Sequence, residues 1–243
     1  MITPCVRCPL RCHPLFEPLA QEELALNQRL KTGEISVDPQ TCVLNEGEAS
    51  AQMLTVLSGM GLRTKHLPDG QRQVLNFIFP GDFLGLQAGT MGVMQHNVVA
   101  VTPMTLCVFR HRDLHTMVRA LPQRALDLAH IGAVEEHFLG EALARIGQQS
   151  ALERTAWALV RVYARLTALG MSTDNRVPFP FRQRDLADAI GQSLVHTNKT
   201  LARLKVLGLA DWQGGKLHLP DPAGLAELAQ VDLDDLVVRR PLI

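Results

Sequence analysis

This 243-residue chain has no excess charge of either sign: 24 Lys and Arg balance 24 Asp and Glu. A neutral protein does not coat nucleic acid by bulk charge, although one basic face is enough for a specific contact. Nothing approaches the ~18–20 consecutive apolar residues that a membrane helix needs. Nor do the first residues run from a basic stretch into an apolar core of the kind that directs secretion. No membrane partner is expected, and the expected location is the cytoplasm. In that reducing setting the five cysteines are not expected to form structural disulfides. They are candidates for core residues, metal ligands or redox thiols. Internal repeats and low-complexity tracts are absent. Aromatic residues make up 5% of a composition that is 47% hydrophobic and 20% charged, an ordinary globular balance. The length allows two compact cores.

The texture changes three times along the chain. Residues 1–20 are irregular, with Pro4, Pro9, Pro14 and Pro18 among Cys5, Cys8 and Cys12. A short helix is predicted over Gln21 to Leu30. From Gly33 to Arg112 short β-prone runs (TCVL, QMLTVLSG, GLRTKH, QVLNFIF, HNVVAV, MTLCVF) alternate with turn signals such as Pro68-Asp69-Gly70 and Pro80-Gly81-Asp82. Strands at such short, regular spacing predict a β-sandwich or jelly roll rather than a βαβ sheet. After Asp113 the period becomes helical. Pro122 suits the first turn of a long helix. Leu121, Leu128, Ile131, Phe138, Leu139, Ala142 and Ile146 form a narrow stripe along it, interrupted by Glu135. Such a stripe fits a partner helix, or a helix laid along its own domain. A second helix, from about Ser150 to Leu169, stops at Gly170.

Beyond the connector STDNRVP lies a compact block. Prolines 178 and 180 keep VPFPF extended. Arg184 to Ile190 reads as a short helix ending at Gly191. Ser193 caps a second helix reaching Val206, with Gly208 beyond its end. DWQGGKLHL reads as a hairpin turning at Gly214-Gly215. Strand, helix, Gly turn, helix and hairpin wing is the order of a winged helix-turn-helix, whose second helix enters the major groove of double-stranded DNA. His196, Asn198, Lys199 and Thr200 are placed to reach base edges, and Arg203 and Lys205 to reach phosphates. Leu194, Thr197, Leu201 and Leu204 are expected to pack inward. Gln183, Arg184 and Ser193 are candidate backbone anchors. From Arg176 to His218, seven Lys/Arg face three Asp, a local excess of four positive charges. The competing reading is an amphipathic helix pair with a solvated basic face.

Three blocks carry a family resemblance: EGE…LTVLSGMGLRTKHLPDGQRQVLNFIFPGDFLG, ALERTAWALV and RQRDLADAIGQSLVHTNKTLARLKVLGLA. In this order they are similar to the Crp/Fnr family of bacterial transcription regulators over nearly the whole chain. The resemblance implies an α+β protein with an N-terminal segment (1–20) and a cyclic-nucleotide-binding-like jelly-roll sensor (21–115). A long dimerisation helix (116–148) and a winged helix-turn-helix DNA-binding domain (149–243) would follow. It implies a homodimer on a palindromic operator, with RNA polymerase as a further partner. On this reading Glu135 is an unpaired charge on the dimer seam.

Two departures from the family pattern stand out. Cyclic-AMP-binding members hold the phosphate with an Arg-Ser pair, and His96-Asn97 stands there here. Without the charge-assisted partner of a buried phosphate, the resemblance argues against cyclic AMP. The Fnr-type recognition helix reads bases with Glu, Ser and Arg, where this chain places Val195, Asn198 and Lys199. Valine cannot accept from cytosine N4, so a different operator is expected.

Fnr-type members ligate a [4Fe–4S] cluster with three N-terminal cysteines and one in the roll. Cys5, Cys8, Cys12 and Cys107 stand at comparable places, although the family spaces its second and third cysteines by five residues and this chain by three. Zinc, a thiol switch, or incidental cysteines beside a roll that takes another small ligand or none are the alternatives. The different-class alternative, a jelly-roll metalloenzyme, needs clustered His and carboxylate ligands. The nine histidines are dispersed. The pair four apart, His111 and His115, falls at the exit of the roll. No phosphate loop, nucleophile elbow or carboxylate dyad is present, so no enzymatic activity is expected.

Overall fold

The computed structural model describes residues 2–243 and divides into two compact units. Unit 1 runs to Glu135 and also takes in Arg239–Ile243, and unit 2 is Glu136–Val238. In unit 1, helix α1 (Gln21–Leu30) leads into strands β1 (Lys31–Val37), β2 (Cys42–Leu44), β3 (Gln52–Ser58), β4 (Gly61–His66), β5 (Arg72–Ile78) and β6 (Phe83–Leu84). Helix α2 (Leu86–Met91), strands β7 (Asn97–Ala100) and β8 (Met104–Arg110), helix α3 (Leu114–Ala120) and the first half of α4 (Gln123–Gln148) complete it. The strands form two antiparallel four-stranded sheets, ordered β1-β8-β3-β6 and β2-β7-β4-β5, which is the expected jelly roll.

Strand period explains how the roll is filled. Along β8, Leu106 and Val108 point into the core between the sheets, with Val56, Ile78 and Val98. Cys107 and Phe109 alternate to the opposite face. There they join Leu26 and Leu30 of α1, Met117 of α3, and Leu128 and Ile131 of α4 in a second core. The first sheet is thus apolar on both faces, and helices rather than water cover its outer side. The Pro80-Gly81-Asp82 turn is fixed by two constraints. Gly81 has φ +87°, and a Cβ there would meet the Phe16 ring. Asp82 Oδ2 accepts from Phe79 N at 2.8 Å.

The long helix departs from expectation. Leu128 and Ile131 are spent on the second core of unit 1, and Phe138 stacks on Trp157 at 6.0 Å within unit 2. Leu121, Leu128, Ile131 and Phe138 of the predicted stripe therefore serve the protomer's own cores, whereas Leu139 is 47% exposed. A different row is exposed: Leu126, Ala129, Ala133, Glu136, Gly140 and Leu143, at alternating steps of three and four. Glu135 is not an unpaired seam charge. It accepts from Asn76 Nδ2 at 3.2 Å and lies 3.4 Å from Arg63 and 3.8 Å from Arg240.

Unit 2 continues with α5 (Ala151–Ala168), β9 (Arg176–Pro178), α6 (Gln183–Ala189), α7 (Leu194–Val206), β10 (Asp211–Gln213), β11 (Lys216–His218) and α8 (Pro222–Leu228). α5 starts at a capping box in which Ser150 and Glu153 bond each other's backbone N–H, at 3.3 and 2.8 Å. It buries Trp157, Leu159, Val160, Val162 and Leu166. The wing is a three-stranded antiparallel sheet ordered β10-β11-β9, turned at Gly214 and Gly215, both at positive φ as a tight hairpin requires. Trp212 pins it by donating from Nε1 to Phe179 O at 3.1 Å. The structure therefore divides the chain within α4 rather than after residue 115, and it returns Arg239–Ile243 to the first unit.

Candidate functional site

The helix pair of unit 2 is built by local rules. Asp185 closes the start of α6 by accepting from Arg182 N at 2.9 Å, and α6 ends before Gly191, at φ +62°. Ser193 caps α7 by accepting from His196 N at 3.3 Å. Thr197 and Leu204 are fully buried, which anchors one side of α7 and turns Val195, His196, Asn198, Lys199 and Arg203 outward. Gln183 and Arg184 are exposed on α6, Arg184 in a surface pair with Asp188 at 3.0 Å. The outward face is therefore basic and polar over the first turns of α7, with an apolar point at Val195, 67% exposed.

Three assignments change. Thr200 is buried, and its hydroxyl donates to His196 O at 3.0 Å, so it braces the helix and cannot reach a base. Leu194 is exposed rather than packed inward. Lys205, expected on phosphate, reaches Asp211 at 3.2 Å. The cue for Thr200 was its spacing, since Thr197, Thr200 and Leu204 fall at steps of three and four on one helix face.

In unit 1, Cys5, Cys8 and Cys107 line one cavity with Lys31, Asn27, Phe109, Leu242 and Ile243. The Cys-rich segment lies across the roll through two 3₁₀ turns, Cys5–Arg7 and Pro9–Cys12. Cys5 N donates to Gln28 Oε1 at 2.8 Å, and Thr3 N to Glu34 Oε1 at 3.0 Å. Lys31 Nζ, almost wholly buried, donates to Thr3 O at 2.8 Å and Glu34 Oε1 at 2.6 Å. Burial pushes the Cys5, Cys8 and Cys107 thiols above their ordinary range, and nearby Lys31 pulls partly the other way. All three are therefore protonated at neutral pH and weak as nucleophiles. Asn27 Oδ1 is buried without a hydrogen-bond partner. Cys12 and Cys42 are exposed, and neither lines the cavity. Among the described residues no three His, Cys, Asp or Glu side chains converge closely enough to hold a metal ion.

The place read against cyclic AMP is filled by the protein's own side chains. His96 is 6% exposed. Asn97 Oδ1 accepts from Glu46 N at 2.9 Å, and Lys65 Nζ donates to Gln95 O at 2.9 Å.

Comparison with known proteins agrees with this two-part architecture. Residues 34–120 match the cyclic nucleotide-binding domain, and residues 153–228 match the Crp-like helix-turn-helix domain. The chain is 28% identical over 225 residues to the nitrogen fixation regulation protein FixK of Bradyrhizobium diazoefficiens, covering 93% of each chain. It is 27% identical over 235 residues to the transcriptional activator protein FnrL of Cereibacter sphaeroides, covering 95% of this chain and 93% of that one. Among solved structures, FixK2 from Bradyrhizobium japonicum shares the fold, with a TM-score of 0.73 at 24% identity, covering 80% of this chain and 96% of that one. A nucleotide-binding-type roll followed by a helix-turn-helix defines a two-domain transcription regulator rather than an enzyme. The chain belongs to the Crp/Fnr family.

His96 has a titration consequence. Burial, then the nearby Arg63 cation, lower its pKa from 6.5 to about 4, so it is neutral at pH 7. Unfolded, it takes up a proton near 6.5, so the unfolded state binds more protons between about pH 6.5 and 4 and stability falls with pH through that window. At pH 5 this destabilisation should be about 2 kcal/mol. Urea midpoints of wild type and His96→Gln should converge as pH drops from 7 to 5, and parallel curves would contradict the assignment.

Proposed function

We propose that this regulator reads a palindromic operator as a homodimer and takes its signal at the thiol cavity of unit 1. The observation that carries the DNA reading is the outward face of α7. His196 and Lys199 project from its first turns while Thr197 and Leu204 hold the opposite side in the core. Its donors match purine acceptors in the major groove, and Asn198 is suited to adenine. Val195 offers no polar group and selects against a cytosine readout at its position. RNA polymerase as second partner is supported by the family resemblance alone. Operator DNA selected from a random pool by the protein itself provides the probe. His196→Ala and Lys199→Ala should each lose about tenfold in affinity for it and little for scrambled DNA. Arg203→Ala should weaken both alike, and equal losses on both DNAs in all three variants would sink the assignment.

The exposed row on α4 supports the dimer. Leu126, Ala129, Ala133, Glu136, Gly140 and Leu143 repeat at heptad a and d spacing, and Ala and Gly at such positions let two helices approach closely. A homodimer would present two recognition helices to the two half-sites of a palindrome. Leu143→Glu should sediment as a monomer at concentrations where wild type is a dimer. An unchanged dimer would exclude this face.

For the signal, Cys5, Cys8 and Cys107 at one cavity support oxygen or redox sensing, with a [4Fe–4S] cluster as the proposed cofactor. Such a cluster supplies a group that oxidants dismantle. Cys5, Cys8 and Cys107 are its proposed ligands, and exposed Cys12 has to turn inward to serve as the fourth. Cyclic AMP does not suit the site that His96 and Asn97 fill, because nearby Arg63 is already engaged by Glu135 at 3.4 Å and by Phe83 O at 3.2 Å. Anaerobic supply of iron and sulfide should give wild type a visible absorption that Cys107→Ser lacks. A colourless, iron-free wild type would end the cluster reading, and zinc found instead would assign the thiols to that metal.

A further inference from the structure

One wall of the thiol cavity comes from a distant part of the sequence. Leu242 and Ile243 line it beside Cys5, Cys8 and Cys107 and are 4% and 5% exposed. Polar contacts hold their segment in place. Arg240 N donates to Leu15 O and Glu17 N to Arg240 O, each at 2.9 Å, in a short parallel bridge. The Arg240 guanidinium reaches Asp82 Oδ1 at 2.9 Å. His130 Nε2 lies 3.0 Å from Arg239 O, Arg124 Nη1 donates to Leu242 O at 3.3 Å, and Thr55 Oγ1 donates to Ile243 O at 2.7 Å.

The other walls are α1, β1, β3 and β8, whose backbones are locked by helix or ladder bonds, and the N-terminal segment, which Gln28, Lys31 and Glu34 tie to α1 and β1. Arg239–Ile243 belongs to no helix or ladder, and ordering it costs conformational entropy that its two buried side chains and few polar contacts must offset. It can therefore open without breaking a helix or ladder bond.

We propose that Arg239–Ile243 is a strap that gates the cavity, so that soft electrophiles and thiophilic metal species reach buried Cys107 only when it lifts. Occupancy beyond Ile243 and docking of the strap are then coupled, and the coupling is reciprocal. The bearing of the gate on regulation rests on the cavity being the sensing site, whereas the gating itself does not. The chain enters the strap directly from unit 2 at Val238.

The test is a timed pulse of iodoacetamide on reduced, iron-free full-length protein, with each cysteine mapped by mass spectrometry. In this reaction the thiolate sulfur displaces iodide and the thiol proton passes to solvent. Thr55→Val removes one strap bond with little change of shape, and Arg240→Ala removes the Asp82 anchor. Each should raise the alkylation rate of Cys107 about fivefold, the scale of one lost hydrogen bond. Arg240→Lys should fall between wild type and Arg240→Ala. Cys42, exposed on β2 in the opposite sheet, should keep its wild-type rate. An unchanged Cys107 rate in both variants, or a parallel rise at Cys42, would overturn the gate. Because the probe contains no metal, failure to take up iron removes the cluster and leaves this result standing.

Discussion

A guanidinium sealed from water has to be met by charge and carbonyl, and the outer side of the first sheet is organised around one such group. Arg124 is completely buried. Its Nη1 lies 2.9 Å from Asp127, one turn on along α4, and its Nη2 lies 3.2 Å from Glu23 of α1. Its remaining reach goes to Leu242 O. One cation thus joins the first helix, the long helix and the returning segment, over a sheet face that would otherwise expose Phe83, Cys107 and Phe109. Such an arrangement tolerates loss of a member poorly, because the charge left behind stays buried and unpaired.

This explains why the cavity is where it is. Period two puts Cys107 on the outer face of β8, and the helices tied together by Arg124 keep that face dry. The N-terminal cysteines approach it because Lys31, Glu34 and Gln28 catch the backbone of a segment rich in proline. The raised thiol pKa values follow from the same dryness.

Features with local causes were legible in the sequence. The caps at Ser150 and Ser193, the stops at Gly170 and Gly191, the Gly214-Gly215 turn and the strand-rich roll appear where the residue patterns put them. The inventory of α7 was legible except at Thr200, Leu194 and Lys205, whose surroundings depend on what packs around the helix. The faces of α4 were not legible. A stripe of large apolar residues shows that a helix is buried but not against what. Leu128, Ile131 and Phe138 go to cores of their own chain, and half of the row left outside is Ala and Gly, which carry little hydrophobic signal. Glu135 was misread for the same reason, since its partners Arg63, Asn76 and Arg240 lie far away in the sequence. Arg239–Ile243 has no periodicity to announce that it returns to the roll.

That return makes unit 2 an insertion within unit 1. On the ribosome the roll, the cysteine segment and Arg124 are all made before the helix-turn-helix, yet the carbonyls that meet Arg124 and Thr55 from Leu242 and Ile243 are made after it. The sensor half therefore waits through synthesis of the entire DNA-reading half with one wall open. A chain interrupted anywhere between Glu136 and Val238 carries a roll with exposed apolar surface beside free thiols. A closed sensor cavity therefore exists only on a chain that already has its reader.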